Sequence, residues 1–282
     1  MPKIPKVDYA IIGGSSTNSI NFPEDLNRDD VQVLETDLVF DTPFGESPAF
    51  KLVQLDDKVF LTCKMHGWRP NVVTRGVASQ QVFWVFKKAE VKKIYAEGGV
   101  GSINHLLELR DLVIPNDYID QSQRIDVGLG GPYLLAMREA ICPTQADHLY
   151  EAAKKEVSSL GRYVFKRGIY VNTDGRHFES PAEVQAYKQW GGDVIGQSIT
   201  PEVYLAREIG ACYAGVYMVV NYAEGIRKDW EHKDLSDIFY KESHRIGNIL
   251  LNALKETTVD QTTCNCCSLR TKTLLTHDGE ED

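Results

Sequence analysis

The chain has 282 residues, a net charge of −9, 43% hydrophobic and 25% charged residues. That length can bury a sizeable core, and the acidic balance argues against a nucleic-acid or acidic-membrane surface. No apolar run approaches the roughly 20 residues that span a bilayer, and the opening MPKIPKVDYAIIGG lacks a signal-peptide core, so a cytoplasmic location is expected.

No Pro/Ser/Gly-rich linker divides the chain, so residues 1–257 read as one α/β domain with a central mixed β-sheet flanked by helices. Residues 8–14 form a strand that ends in a glycine turn, followed by Ser15, Ser16 and Thr17. Glycines let backbone amides approach an anion, and hydroxyls add donors; a plain turn has the same pattern. Residues 31–40 and 49–63 alternate apolar and polar and read as antiparallel strands, with a turn at Asp41-Thr42-Pro43-Phe44-Gly45 between them. Lys64, Met65, His66 and Gly67 end a strand, where a cation and a histidine can clamp an oxyanion.

Residues 79–88 read as a helix and 91–97 as a strand, with a glycine turn at 98–102. Glu97 stands directly before that turn. A carboxylate beside an anion site repels the anion, so Glu97 is expected to face solvent or pair with a lysine. Residues 111–120 read as a further strand and 144–158 as an amphipathic helix capped by Thr144. Residues 162–173 form a strand leading into Asp174-Gly175-Arg176-His177-Phe178, and 181–190 form a helix.

Residues 190–225 carry the strongest pattern. Residues 193–196 are a short apolar strand. Thr200 then caps a helix with Pro201 at its first position, and Gly210 ends it. Residues 211–220 are a second apolar strand, rich in β-branched and aromatic residues. Gln197, Ser198 and Asn221 fall at the carboxyl ends of these strands, where open α/β sheets collect ligands. Residues 235–257 have apolar positions at helical spacing and read as a long helix.

From Trp190 to Ala214 the chain matches W-G-x-D-V-I-x-x-S/T-x-x-P-E-x-x-L-A-R/K-E-x-G-x-x-Y-A. It resembles the trimeric purine nucleoside phosphorylase and methylthioadenosine phosphorylase family over roughly residues 8–255. The resemblance implies the nucleoside phosphorylase fold in a homotrimer or a dimer of trimers. It implies phosphorolysis of a purine nucleoside in purine salvage, with phosphate as co-substrate and no cofactor or metal. It places Ser15, Lys64, His66, Gly98, Gly99 and Ser198 against phosphate, and Phe178, Gln197, Asn221 and Ala223 against base and ribose. Asn221 and His66 are the implied catalytic pair. Asp-Thr-Pro-Phe-Gly at 41–45 also matches the family.

Departures are visible too. The family's phosphate-binding arginine falls on Met65 or Lys64, and Gly98 replaces a side-chain donor. Asn221 stands where aminopurine-specific relatives have Asp. An amide both accepts and donates, which suits a 6-oxopurine, whereas a carboxylate only accepts. Residues 121–136 are shorter than the corresponding loop of methylthioadenosine phosphorylases, so the 5′ substituent is left open. Two rival readings remain: a nucleosidase with Glu97 or Asp174 as general base, and a non-catalytic nucleoside-binding protein.

Of six cysteines, Cys63, Cys142 and Cys212 lie singly in or beside core elements and read as reduced and buried. Residues 258–282 read as a polar, partly disordered tail containing Cys264, Cys266 and Cys267. Structural thiols, a disulfide or redox pair and a metal site are all open for that cluster.

Overall fold

The computed structural model describes residues 2–65, 74–124, 126–175, 177–227 and 232–273. In chain order the elements begin with β1 (Tyr9–Gly13), α1 (Ser15–Asn18), a 3-10 turn at Glu24–Leu26, β2 (Val31–Leu38), and a small hairpin of β3 (Asp41–Thr42) and β4 (Gly45–Glu46). They continue with β5 (Phe50–Leu55), β6 (Lys58–Lys64), α2 (Arg75–Ala89), β7 (Lys93–Ser102), β8 (Leu112–Val113), β9 (Asp117–Asp120) and β10 (Tyr133–Leu135). Next come α3 (Pro143–Val157), β11 (Val164–Phe165), β12 (Ile169–Asn172), α4 (Pro181–Gln189) and β13 (Val194–Gly196). The chain closes with α5 (Ile199–Glu208), β14 (Cys212–Tyr222), α6 (His232–Glu256) and β15 (Arg270–Lys272).

The expected mixed sheet is present, and it forks at β7. One path runs β11-β8-β14-β7-β1-β6-β5-β2. β14, β7, β1 and β6 run parallel to one another on this path, β5 and β2 add an antiparallel edge on one side, and β8 pairs antiparallel with β14 on the other. The other path leaves the far half of β7, where Val194 and Ile195 of β13 pair antiparallel with Ser102 and Gly101, and continues to β12 and β9. β7 therefore has its first residues, Lys93–Ala96, beside β1 and its last two, Gly101 and Ser102, beside β13, with β14 along its whole length.

This fork explains the glycines. Residues 98–102 are not a turn but the second half of β7. A Cβ on Gly98 would lie 3.1 Å from Ser198 Oγ, and one on Gly101 would lie 3.2 Å from Ile195. On Gly99 it would come within 2.7 Å of the Phe239 ring. Close packing on both faces, rather than chain reversal, demands glycine here.

Other boundaries shift for local reasons. Residues 49–63 are two strands, because Asp56 takes a left-handed φ of 50° and turns the chain between β5 and β6. The stretch 111–120 is likewise split at Pro115 and Asn116 into β8 and β9. α3 starts at Pro143, with Cys142 at its N-cap position and Thr144 inside the helix. α4 has the full capping box of Ser180 and Glu183. Gly210, at φ 74°, follows the end of α5 as expected. Thr200 is extended before Pro201, but its hydroxyl donates to Asp120 Oδ1 at 3.2 Å instead of capping the helix.

The core lies on both faces of the sheet. Phe50, Phe83 and Phe86 are fully buried and meet edge-on between β5 and α2. Each such ring contributes about 2–3 kcal/mol through removal from water. α6 packs against α3 along its apolar stripe, with Ile246, Ile249 and Leu250 buried. The described part of the stretch after Thr257, residues 258–273, differs from the loose tail that its polarity suggests. Cys266 and Leu269 are buried, and β15 pairs with β10.

Candidate active site

The glycine-serine loop after β1 is built around one carboxylate. Glu97 Oε1 accepts hydrogen bonds from Gly14 N at 2.6 Å, Thr17 N at 3.0 Å and Thr17 Oγ1 at 2.9 Å, and Oε2 accepts from Ser16 N at 3.3 Å. Glu97 is buried, and among the described residues it pairs with no lysine, whereas its polarity alone suggests solvent or a lysine partner. Burial pushes its carboxyl above the usual range, and the hydrogen bonds from Thr17, Gly14 and Ser16 oppose this in part. Gly14 has no alternative at its position, since a Cβ would lie 2.0 Å from the Glu97 carbonyl oxygen.

Beside this loop lies a cavity of about 720 Å³. Ser15, Lys64, Gly99, Asp174, Phe178, Gln197, Ser198, Asn221 and Ala223 all line it. Gly98 and Glu97 do not: Gly98 pairs with Tyr217 inside the sheet, and Glu97 lies under the loop. His66 falls outside the described residues.

Asn221 reaches the cavity through a bulge. β14 and β7 stay in register from Cys212 to Val219, then β14 slips by one residue at Val220. A bulge re-aims the side chains that follow it. Val220 and Asn221 consequently both line the cavity, although they are adjacent in the strand. Asn221 is buried, with Nδ2 donating to Tyr222 O at 3.1 Å. Ser198, one residue before α5, shares its hydroxyl with Tyr170 OH at 3.2 Å, and its backbone N donates to the same phenol. Phe178 is 43% exposed, an open aromatic face on the cavity wall.

Among the described residues, three basic ones line the cavity: Lys64, Arg75 and Arg124. Lys64 Nζ donates to Ile20 O at 3.0 Å, and partial burial, with Lys51 nearby, lowers its pKa. Arg75, at the start of α2, pairs with Glu202 at 2.6 Å and donates to Met65 O at 2.7 Å. Arg75 Nε is buried with no hydrogen-bond partner among the described residues. Glu202 is also held by Tyr213 OH at 2.9 Å; burial raises its pKa, and Arg75 counters that.

Arg124 is a clip. Its guanidinium donates to Gln197 O, Thr200 O and Thr173 O and faces Asp174 Oδ1 at 3.2 Å. It ties the ends of β12 and β13 to the loop before β10. Asp174 is thus engaged, since it also accepts from Gln123 N at 2.7 Å.

Neither arginine carries a sequence signal at its own position. Arg75 opens an ordinary helix and Arg124 sits in an irregular loop, so only the folded chain brings them to the cavity. Leu235 and Phe239 of α6 complete the wall; their helical spacing marks them as packing positions and says nothing of a pocket.

This is an α/β protein with a half-polar pocket at the carboxyl ends of its parallel strands, an arrangement suited to a small ligand with one aromatic and one anionic part. Residues 8–255 match the model of the phosphorylase superfamily, and the chain belongs to that family. It is 31% identical to the 6-oxopurine nucleoside phosphorylase of Pyrococcus furiosus over 265 residues, covering 90% of this chain and 92% of that protein. It is 29% identical to the S-methyl-5′-thioadenosine phosphorylase of Anopheles gambiae over 267 residues, covering 89% of each. Among solved structures, methylthioadenosine phosphorylase from Schistosoma mansoni in complex with adenine aligns with a TM-score of 0.78 at 22% identity. That alignment covers 94% of this chain and 96% of that one, and it supports the fold.

Proposed function

We propose that this chain is a pentosyltransferase that cleaves purine nucleosides with phosphate, preferring 6-oxopurine nucleosides or their 5′-methylthio forms. The observation that carries the reading is that one cavity is lined by Asn221 and Phe178 and also by Ser15, Gly99 and Ser198. The names of the Pyrococcus and Anopheles relatives point the same way.

In this reading the C1′–N9 bond breaks and its electron pair leaves with the purine. Asn221 stabilises the charge that gathers at N7 and O6, and Phe178 stacks on the ring. A phosphate oxygen forms the new bond to C1′. The Ser15 and Ser198 hydroxyls and the Gly99 amide hold the phosphate, with charge from Lys64 and Arg75. Gln197 and Ala223 border the ribose and base. Catalysis is then positioning and electrostatics. His66, which matches the family's histidine, is assigned to the phosphate as well. The active form is a homotrimer or a dimer of trimers, tested by light scattering.

One observation favours a second reading. Glu97 already takes the Gly14, Ser16 and Thr17 amides that would otherwise face an anion. A weaker phosphate site would allow water to attack C1′, with Asp174, which lines the cavity beside Glu179 and Glu224, as the base once it is released from Arg124 and Gln123.

Purine release from inosine, guanosine and methylthioinosine, with and without phosphate, separates the two. Release that needs phosphate and yields a pentose 1-phosphate supports the first reading. Equal release without phosphate makes the enzyme a nucleosidase. No release, with nucleoside binding retained, makes it a binding protein.

A further inference from the structure

Four cysteines meet on the far side of the molecule's chemistry. Cys142 precedes α3, Cys212 opens β14, and Cys264 and Cys266 lie between α6 and β15. Their four sulfurs all lie within 4.8 Å of one another. Cys212 Sγ and Cys264 Sγ are 3.4 Å apart, and all the chain's cysteines are free thiols. Three of the four are buried and Cys264 is half-buried. None lines the cavity.

The surroundings are not those of an apolar thiol cluster. Lys93, only 1% exposed, places Nζ 3.5 Å from Cys212 Sγ. The Gln261 amide donates to the same sulfur at 3.5 Å, and Arg207 donates to the Cys266 carbonyl at 3.3 Å. A buried ammonium without a carboxylate partner is costly unless negative charge stands nearby. Among the described residues Lys93 has no ion pair, and its other hydrogen bond goes to the Asp260 carbonyl at 2.5 Å. A thiolate at Cys212 would supply the missing charge.

We propose that Cys142, Cys212, Cys264 and Cys266 hold one zinc ion in a closed tetrahedral site of structural function. Zn–S bonds of about 2.3 Å put the corners of a tetrahedron about 3.8 Å apart. The observed cluster spans that spacing. Four thiolates on a dication leave two negative charges, and Lys93 offsets one of them. With four protein sulfurs the ion has no open position, so the site supports folding rather than catalysis.

The ion joins three parts of the chain that are far apart in sequence. It pins the segment after α6 to the starts of α3 and β14. That segment carries Leu269, whose carbonyl accepts from Ala136 N at 2.8 Å, and β15, which pairs with β10. The loop before β10 is further held by Glu208, which accepts from Leu129 N and Gly131 N. Arg124 and Gln123 of the same loop line the cavity. The metal therefore bears on the order of one cavity wall without touching ligand.

The test uses the full chain, reduced, supplied with Zn²⁺ and passed over a chelating resin that strips loosely bound ions. Elemental mass spectrometry is expected to find about one zinc per chain. Co²⁺ in place of zinc is expected to give thiolate charge-transfer bands and the visible bands of a tetrahedral ion. Cys264→Ser/Cys266→Ser is expected to lose both signals, and Cys267→Ser, at the exposed cysteine outside the cluster, to keep them. A strong chelator is expected to lower the Tm of wild type and not that of the double variant. Less than about a tenth of an equivalent in reduced wild-type protein overturns the proposal. So does an octahedral cobalt spectrum, equal zinc in the double variant, or disulfides among these four in freshly isolated, unreduced protein.

Discussion

Glu97 Oε1 lies 2.6 Å from the backbone nitrogen of Gly14, and two more donors from Thr17 converge on the same oxygen. A strand residue thus holds the glycine loop from beneath. Glu97→Ala leaves Gly14 and Thr17 amides without partners in a buried place. Each such group costs about 1–3 kcal/mol. The expected result is a large drop in Tm, with Glu97→Gln losing much less because its carbonyl can still accept from Gly14 and Thr17. Thermal unfolding of the two variants checks this. Equal losses would mean that the charge, not the acceptor, matters.

Asn221 is expected to set the purine preference. Asn221→Ala removes one stabilising group from the leaving base and should lower kcat/KM for inosine by about 10²-fold. Asn221→Asp should lose 6-oxopurine activity and gain relative activity on adenosine or methylthioadenosine, because a carboxylate accepts from a 6-amino group and cannot donate. Steady-state kinetics on the four nucleosides decide it. An Asn221→Asp enzyme with unchanged preference would place the determinant elsewhere.

Arg75 has two roles that separate in a double variant. Its pair with buried Glu202 is 2.6 Å long. Arg75→Met leaves that carboxylate uncompensated, a loss of about 3 kcal/mol. Arg75→Met/Glu202→Gln should recover most of the Tm. If Arg75 also faces phosphate, the double variant keeps a raised KM for phosphate with the KM for nucleoside little changed. Recovery of both stability and phosphate KM would leave Arg75 a purely structural residue.

Glu242 makes stability pH-dependent on the acid side. Burial pushes its carboxyl up, but hydrogen bonds from Arg162 and Arg245 outweigh this and hold it below its ordinary value of 4.5. Arg162 contacts both of its oxygens, at 2.6 and 2.9 Å. A carboxylate lowered in the folded state contributes stability above its unfolded pKa and loses it as pH falls through the folded one. The Tm gap between wild type and Glu242→Gln should therefore be widest near neutrality and shrink below about pH 4.5. A constant gap down to pH 3 would count against the ion pairs.

The elements that were legible in the sequence are those whose pattern is local. α6 has a long apolar stripe, α4 has Ser180 and Glu183 at capping distance, and α5 and β14 are bounded by Pro201 and Gly210. Asn221 and Ser198 are legible because they stand at strand ends in or beside the motif block, and Phe178 because it lies in the loop that the resemblance sets against the base. The missed features depend on distant partners. The glycines at 98–101 read as a turn in isolation; pairing with β14 and β13 makes them strand, and the closeness of Phe239, Ser198 and Ile195 explains why they are glycines. The β5–β6 turn contains Asp56 and Asp57 with neither glycine nor proline, so nothing local announces it. Arg75 and Arg124 have no periodicity that marks a cavity. The four cysteines come from three places in the chain, and no spacing rule joins 142, 212, 264 and 266. Glu97 reads as a charge to be solvated, because its donors come from a loop some eighty positions earlier.

The fork at β7 bears on the order in which the molecule opens. Glycine weakens an isolated strand, so this segment has little tendency of its own to be extended. It nevertheless has β14 along one edge for its whole length, with β1 and β13 on the other edge at its two ends. Its amides become available to solvent only when β14 and, at its two ends, β1 and β13 have let go, which amounts to global unfolding. In deuterium exchange the backbone of residues 94–101 should then be among the slowest in the chain, although half of those positions carry almost no side chain. The segment is held closed by its neighbours rather than by itself.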